Sequence, residues 1–118
     1  MGIGVAPRVE LADNAGLKVD NGILVDEKLQ TSAPNVFAAG DVAIAQHPFY
    51  GERLRLEHWS NALNQGPAAA QAMLGKPTSY DRIPYFFSDQ YDVGMEYSGH
   101  APHWDEVVFR GDRARGGP

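Results

Sequence analysis

The sequence predicts an α/β fold, and three features carry that prediction. Two short apolar runs, Ile23-Leu24-Val25 and Val36-Phe37-Ala38-Ala39, are bounded by turn residues in the manner of buried strands. The stretch Ala68-Ala-Ala-Gln-Ala-Met-Leu74 is strong helix-forming material. From Thr78 the texture changes to an aromatic, turn-like stretch followed by strand-like alternation.

Taken in order, residues 1–8 read as the tail of a buried strand running into a Gly-Pro turn. Glu10 to Gly16 is a short helix closed by Gly16, which can take the left-handed conformation that ends helices. In Lys18 to Asp26, Asp20-Asn21-Gly22 signals a turn, and Ile23 to Val25 a strand; a hairpin or a strand after a turn both fit. Pro34-Asn35 stops the chain before the next strand, Val36 to Ala39. Ala43 to Leu56, with Pro48, Gly51 and mixed charge, predicts a surface loop or loose hairpin.

The main helix is expected over Glu57 to Leu74, with Ser60 as N-cap. Pro67 would clash with the carbonyl of Leu63, so the helix either kinks there or restarts with Pro67 in its first turn. Gly75-Lys-Pro77 ends it. Ile83 to Asp92 reads as aromatic and turn-like. Val93 to Gly99 and Asp105 to Arg110 read as two strands joined through Gly99 to His103. A lone hairpin is marginal, so these strands are expected to open a larger sheet.

Composition narrows the function classes. The 118 residues carry a net charge of −5, which leaves no basic footprint for nucleic acid. No apolar run approaches membrane-spanning length and no secretory leader pattern is read. The absence of cysteine excludes disulfides, thiolate metal ligands and a redox-active cysteine pair within the chain, and it fits the expectation of a cytoplasmic protein. The four histidines show no metal-ligand spacing and are expected at the surface.

The most informative segment is Thr31-Ser-Ala-Pro-Asn-Val-Phe-Ala-Ala-Gly-Asp41. Gly40 lets another group approach the backbone. Asp41 places a carboxylate at the expected carboxyl end of a strand, where open α/β sheets bind ligands. A carboxylate only accepts hydrogen bonds, which suits sugar-like hydroxyls. Second is Glu57-His-Trp-Ser-Asn-Ala-Leu-Asn-Gln-Gly66, which sets an acid, an imidazole and an indole at a helix start. Backbone N–H groups there can donate to an electron-rich ring edge. Third is Pro84-Tyr-Phe-Phe-Ser-Asp-Gln-Tyr91, an aromatic cluster. Fourth is Gly2-Ile-Gly-Val-Ala-Pro7, by itself a tight turn.

In this order the segments resemble the pyridine-nucleotide-dependent flavoprotein reductases, in particular their ferredoxin-reductase branch. That branch includes putidaredoxin and rubredoxin reductases and is related to apoptosis-inducing factor. The T-x-x-x-x-V-F-A-A-G-D segment resembles the second FAD-binding motif, in which Gly40 permits close approach and Asp41 holds the ribityl chain. The resemblance implies that Glu57, His58, Trp59 and Ala62, in E-x-W-x-x-A-x-x-Q-G, line the flavin and nicotinamide side. Phe86, Phe87 and Asp89 then shape the junction where a last domain covers the cofactor. Phe87 stands where the family pattern usually has tryptophan, so any role for an indole N–H donor is lost. Gly2 and Gly4 match a segment that passes near the nicotinamide.

The implied architecture has residues 1–8 ending an NAD-binding domain, 9–77 forming the carboxyl-terminal part of a Rossmann-like FAD-binding domain, and 78–118 starting an α+β carboxyl-terminal domain. The implied cofactors are FAD and NAD(P)H, and the implied partner is a ferredoxin or rubredoxin-type electron acceptor; no catalytic acid or nucleophile and no metal are needed. Alternatives are a non-catalytic interaction module descended from such a reductase, a flavin-dependent oxidase, or a disulfide reductase. A complete dinucleotide-binding domain also needs a Gly-rich opening turn, and no G-x-G-x-x-G occurs here. The chain is therefore expected to be a carboxyl-terminal portion whose amino-terminal partner segment lies elsewhere.

Overall fold

The computed structural model describes residues 2–111. Helix α1 spans Glu10–Asn14. Strands β1 (Val19–Asp20), β2 (Gly22–Val25), β3 (Ala43–His47) and β4 (Glu52–Leu54) form one sheet in the order β1-β2-β3-β4. Helix α2 spans Trp59–Met73. Strands β5 (Tyr85–Gln90) and β6 (Val93–Ser98) form a separate two-stranded sheet. The α/β class expected from the sequence holds.

The strand β2 is central because it pairs parallel with β3, Ile23 opposite Ala43 and Val25 opposite Ala45, and antiparallel with β1. Gly22 makes that approach possible: a Cβ there would lie 2.7 Å from Ile44 Cγ1 and 2.9 Å from the Val42 carbonyl oxygen, at a φ of +141°. The core beneath is Val25, Leu29, Ala43, Ala45, Ala69 and Tyr80, with Phe37, Ala38 and Ala39 packed against it. Its small residues let α2 and the loop before β3 lie close to the sheet.

Several elements differ from expectation. Val36 to Ala39 is not a sheet strand: it makes one antiparallel bridge, Gln30 with Phe37. Its backbone bonds close a local turn instead, Thr31 N–H to Val36 O at 2.8 Å and Ala38 N–H to Leu29 O at 3.0 Å. The place beside β2 belongs to β3, so Gly40-Asp41 opens a strand rather than ending one. The stretch predicted as a loop or loose hairpin is the regular pair β3–β4. Its inward side chains are Ala43, Ala45 and His47, too small or too polar to announce a strand. His47 is buried at 3% exposure, against the expectation of a surface histidine.

Helix α2 runs through Pro67 as a single element, so no new helix starts there. Its N-cap is His58, not Ser60, and no side chain caps it. Ile83 to Asp92 is mostly strand, because β5 pairs residue for residue with β6 around a turn at Tyr91-Asp92. Asp105 to Arg110 forms no strand, and the hairpin expected around Gly99 to His103 is absent. Residues 2–8 carry no strand, and Ile3 and Val5 are exposed. The expectations for 112–118 lie outside the described residues.

Candidate functional site

The site grows from the buried stripe of α2. Asn61, Gln65 and Ala69 are its buried residues, spaced four apart and therefore on one face. Gln65 Oε1 accepts the Gly40 N–H at 2.8 Å, a buried bond that clamps the Gly40-Asp41 turn onto the helix. Gly40 has a φ of +86°, and a Cβ there would meet Ala62 Cβ at 3.6 Å. The turn thus sits directly over Ala62, with the Asp41 side chain exposed beside it. Arg55 ties the same corner together. Its Nη1 donates to the Asp41 carbonyl oxygen at 3.4 Å and pairs with Glu57 Oε1 at 2.9 Å.

In front of the helix start lies a cleft of about 610 Å³, lined by Arg55 to Ser60 on one side and Tyr85, Phe86 and Phe87 on the other. Trp59 is 71% exposed at its rim, and Phe87 is also open. The His58 ring lies 4.8 Å from that of Phe86, which stacks in turn on Tyr97 at 5.3 Å. His58 Nδ1 is buried and has no hydrogen-bond partner. Burial lowers the His58 pKa below its ordinary value; Asp41 and Glu57 oppose that shift and His100 adds to it. The imidazole is accordingly neutral near pH 7. Ser60, freed from capping, donates through Oγ to the Tyr85 carbonyl at 2.6 Å and fixes β5 against the helix.

The geometry brings together most of the residues singled out from the sequence. Glu57, His58, Trp59 and Phe87 line the cleft, and Gly40, Asp41 and Ala62 form the turn-on-helix corner that Arg55 joins to Glu57. Gly2 and Gly4 lie in an exposed stretch and are not among the lining residues. Arg55 and Gln65 were missed as participants. Gln65 stood inside the quoted motif, and its spacing from Asn61 marks two polar residues on one helix face, a signal that a helix side buries polar groups for a reason.

The family model for pyridine nucleotide-disulphide oxidoreductases matches residues 1–66, and the chain belongs to that family. It is 45% identical to the anthranilate 1,2-dioxygenase system ferredoxin–NAD(+) reductase component of Burkholderia cepacia, over 98% of this chain and 29% of that protein. Among solved structures, it matches the ferredoxin reductase for the CYP199A2 system from Rhodopseudomonas palustris with a TM-score of 0.91 and 40% identity, over 97% of this chain and 28% of that one. It also matches the reductase of the covalent putidaredoxin reductase–putidaredoxin complex, with a TM-score of 0.87 and 40% identity over 94% of this chain and 27% of that one. The chain thus spans less than a third of the length of these relatives. Among the described residues, no helix is long and apolar enough to cross a membrane.

Proposed function

We propose that this chain supplies the carboxyl-terminal part of the FAD site in a flavoprotein oxidoreductase. The whole enzyme carries electrons from NAD(P)H through FAD to a ferredoxin- or rubredoxin-type iron–sulfur protein, in the cytoplasm. The observation that carries this reading is the Gly40-Asp41 turn clamped by Gln65 beside the aromatic cleft at the start of α2.

The residues present fit such a group. The first turn of α2 has no side-chain cap and no acidic residue, so its N–H groups remain available to an electron-rich ring edge. Trp59, Phe86 and Phe87 offer flat apolar surface. Asp41 is exposed and acceptor-only, as polyol hydroxyls require. When bound, FAD supplies the ring that takes up hydride from NAD(P)H and gives up electrons to the acceptor.

The chain's own residues then bind and orient. Asp41 holds the ribityl hydroxyls, and Gly40 gives them room. Arg55 positions the Asp41 backbone and neutralises Glu57. Glu57, His58 and Trp59 line the ring side, and Phe87 shields it from water. Gly2 and Gly4 belong to the nicotinamide side in this reading, on the strength of the family resemblance. The similarity to a reductase solved in complex with putidaredoxin supports an iron–sulfur partner.

The test is the longer polypeptide in which this sequence is joined to a segment carrying G-x-G-x-x-G. Purified, it is expected to hold one flavin per chain and to reduce ferredoxin or rubredoxin at the expense of NADH or NADPH. A folded, flavin-free protein with no such turnover overturns the proposal.

A further inference from the structure

Helix α2 is built inside out. Its buried stripe begins with two amides, Asn61 and Gln65, while every exposed residue except Gln71 is apolar. None of its 15 residues is charged. A helix that faces water carries its polar and charged residues on the outer side. At about 100° per residue, Ala62, Met73, Gly66, Ala70, Leu63 and Pro67 span roughly 140° of outer surface. Leu63 and Met73 are 54% and 64% exposed, and Leu74 at the C-cap extends the arc at 74%. The arc begins at the site itself, because Ala62 lies under the Gly40 turn and Trp59 stands at the rim of the cleft.

The shape of the arc selects its occupant. Ala62, Gly66 and Ala70 follow one another every four residues and form a shallow track along the axis. A Cβ built on Gly66 would meet nothing within 4 Å, so the track is open to a closely approaching backbone. Gly66 and Pro67 both weaken a helix from within, one by backbone entropy and the other by the missing N–H toward Leu63. An exposed helix gains nothing from them, whereas a packed one gains a flat contact surface. Small residues in the groove bring two packed helix axes to the short end of their range, about 8 Å. A charged counterpart would be desolvated against this arc without compensation, so the counterpart is an apolar face of another helix.

We propose that this arc is the docking face for a helix of the same polypeptide, the one that opens its dinucleotide-binding domain. The chain spans less than a third of the length of its relatives, so most of such a polypeptide lies outside it. A dinucleotide-binding domain opens with a strand, a Gly-rich turn and a helix whose amino terminus faces the pyrophosphate. Helix α2 begins at the ring end of the same site, with N–H groups that no side chain caps. A single ribityl chain separates ring from pyrophosphate, so two helices that start at them run away from the cofactor side by side. The glycines of the opening turn keep the start of that helix small, which suits the track. The choice of this helix rests on the flavin reading; the covering of the arc does not.

The experiment uses the longer polypeptide in which this sequence is joined to a segment carrying G-x-G-x-x-G. Ala70→Cys and Gln71→Cys variants are treated with a maleimide, and modification at each position is followed by peptide mass spectrometry. This chain has no cysteine of its own, so the introduced thiol is unique within it. Relative to the urea-unfolded protein, Ala70→Cys is expected to react at least about tenfold more slowly, and Gln71→Cys to be slowed much less. In a parallel sample photo-methionine replaces methionine, and adducts from Met73 are expected on the helix that follows G-x-G-x-x-G. Ala70→Cys that reacts freely overturns the proposal, as do adducts on any other segment. Adducts that join heavy- and light-labelled copies assign the arc to a second copy and overturn it too. Neither readout needs flavin. Protein that holds flavin and turns over but leaves Ala70→Cys reactive fails this proposal alone; protein without flavin whose Ala70→Cys is protected fails the flavin reading alone.

Discussion

Replacing Gln65 by methionine tests the link between the motif and the helix. Gln65 is 3% exposed, and its Oε1 is the acceptor for the Gly40 N–H, itself on a buried residue. Methionine has similar length and helix propensity but offers no comparable acceptor. The Gly40 amide is then buried without a partner, which costs about 1–3 kcal/mol. Against a typical total of roughly 5–15 kcal/mol, that is a large share. At about 4 °C per kcal/mol for a chain of this size, the melting temperature falls by roughly 4–12 °C. The control is Gln71→Met on the exposed side of the same helix, expected within about 0.5 kcal/mol of wild type. Urea unfolding gives the free energies, and amide hydrogen exchange reports Gly40 directly. Gln65→Met as stable as Gln71→Met, with Gly40 still protected, would refute the clamp.

Gly22→Ala places a Cβ 2.7 Å from Ile44 Cγ1 at a φ that side chains avoid, so it should destabilise the chain by at least about 2 kcal/mol in urea unfolding; a neutral effect would mean the β2–β3 approach is looser than described. In flavin-loaded protein, Asp41→Ala is expected to lower FAD affinity at least tenfold while leaving thermal stability of the flavin-free chain unchanged, since Asp41 is exposed; equal retention in a fluorescence release assay counts against its ribityl role. Titrating the isolated chain with FAD should give no stoichiometric sub-micromolar complex, because it contains no G-x-G-x-x-G turn; a tight yellow complex would sink that expectation. His58 sets a pH dependence. Its folded pKa lies below the ordinary 6.5, so between the two values the unfolded chain binds more protons and stability falls as pH drops through that window. His58→Gln should flatten that part of the stability–pH curve, and an unchanged slope would show that other groups cause it.

The sequence was legible where chemistry and local rules point the same way. The alanine-rich run of α2 became a helix, Ile23 to Val25 became the central strand, and Val93 to Ser98 a hairpin strand. The cleft residues were legible through their order rather than their periodicity, because helix position alone does not say that Glu57 meets Arg55 or that Ser60 meets β5. What failed did so for physical reasons. Val36 to Ala39 has strand composition, but strand pairing is decided by which segment reaches the β2 edge, and β3 reaches it. The β3 strand hid because its inward face is Ala43, Ala45 and a histidine satisfied on both ring nitrogens. The β5 strand hid behind aromatic residues and a proline read as turn signals, although its register with β6 is unbroken.

Helix α2 acts as a ruler for the site. Its buried polar residues, Asn61 and Gln65, are one turn apart, about 6 Å along the axis. Gln65 takes the Gly40-Asp41 turn from the first sheet, and Asn61 takes Tyr80 from the segment leading to the second. One rigid element therefore fixes the distance between the Gly40-Asp41 turn and the segment that leads to the aromatic wall of the cleft. An apolar pair at positions 61 and 65 could bury more surface, but it would leave Gly40 N–H without its acceptor and Tyr80 Oη without the partner it has here. The stripe turns apolar only at Ala69, one turn further on, where the helix meets the core. Polar burial at the amino end and apolar burial beyond it separate the placing of the site from the stabilising of the fold along a single helix.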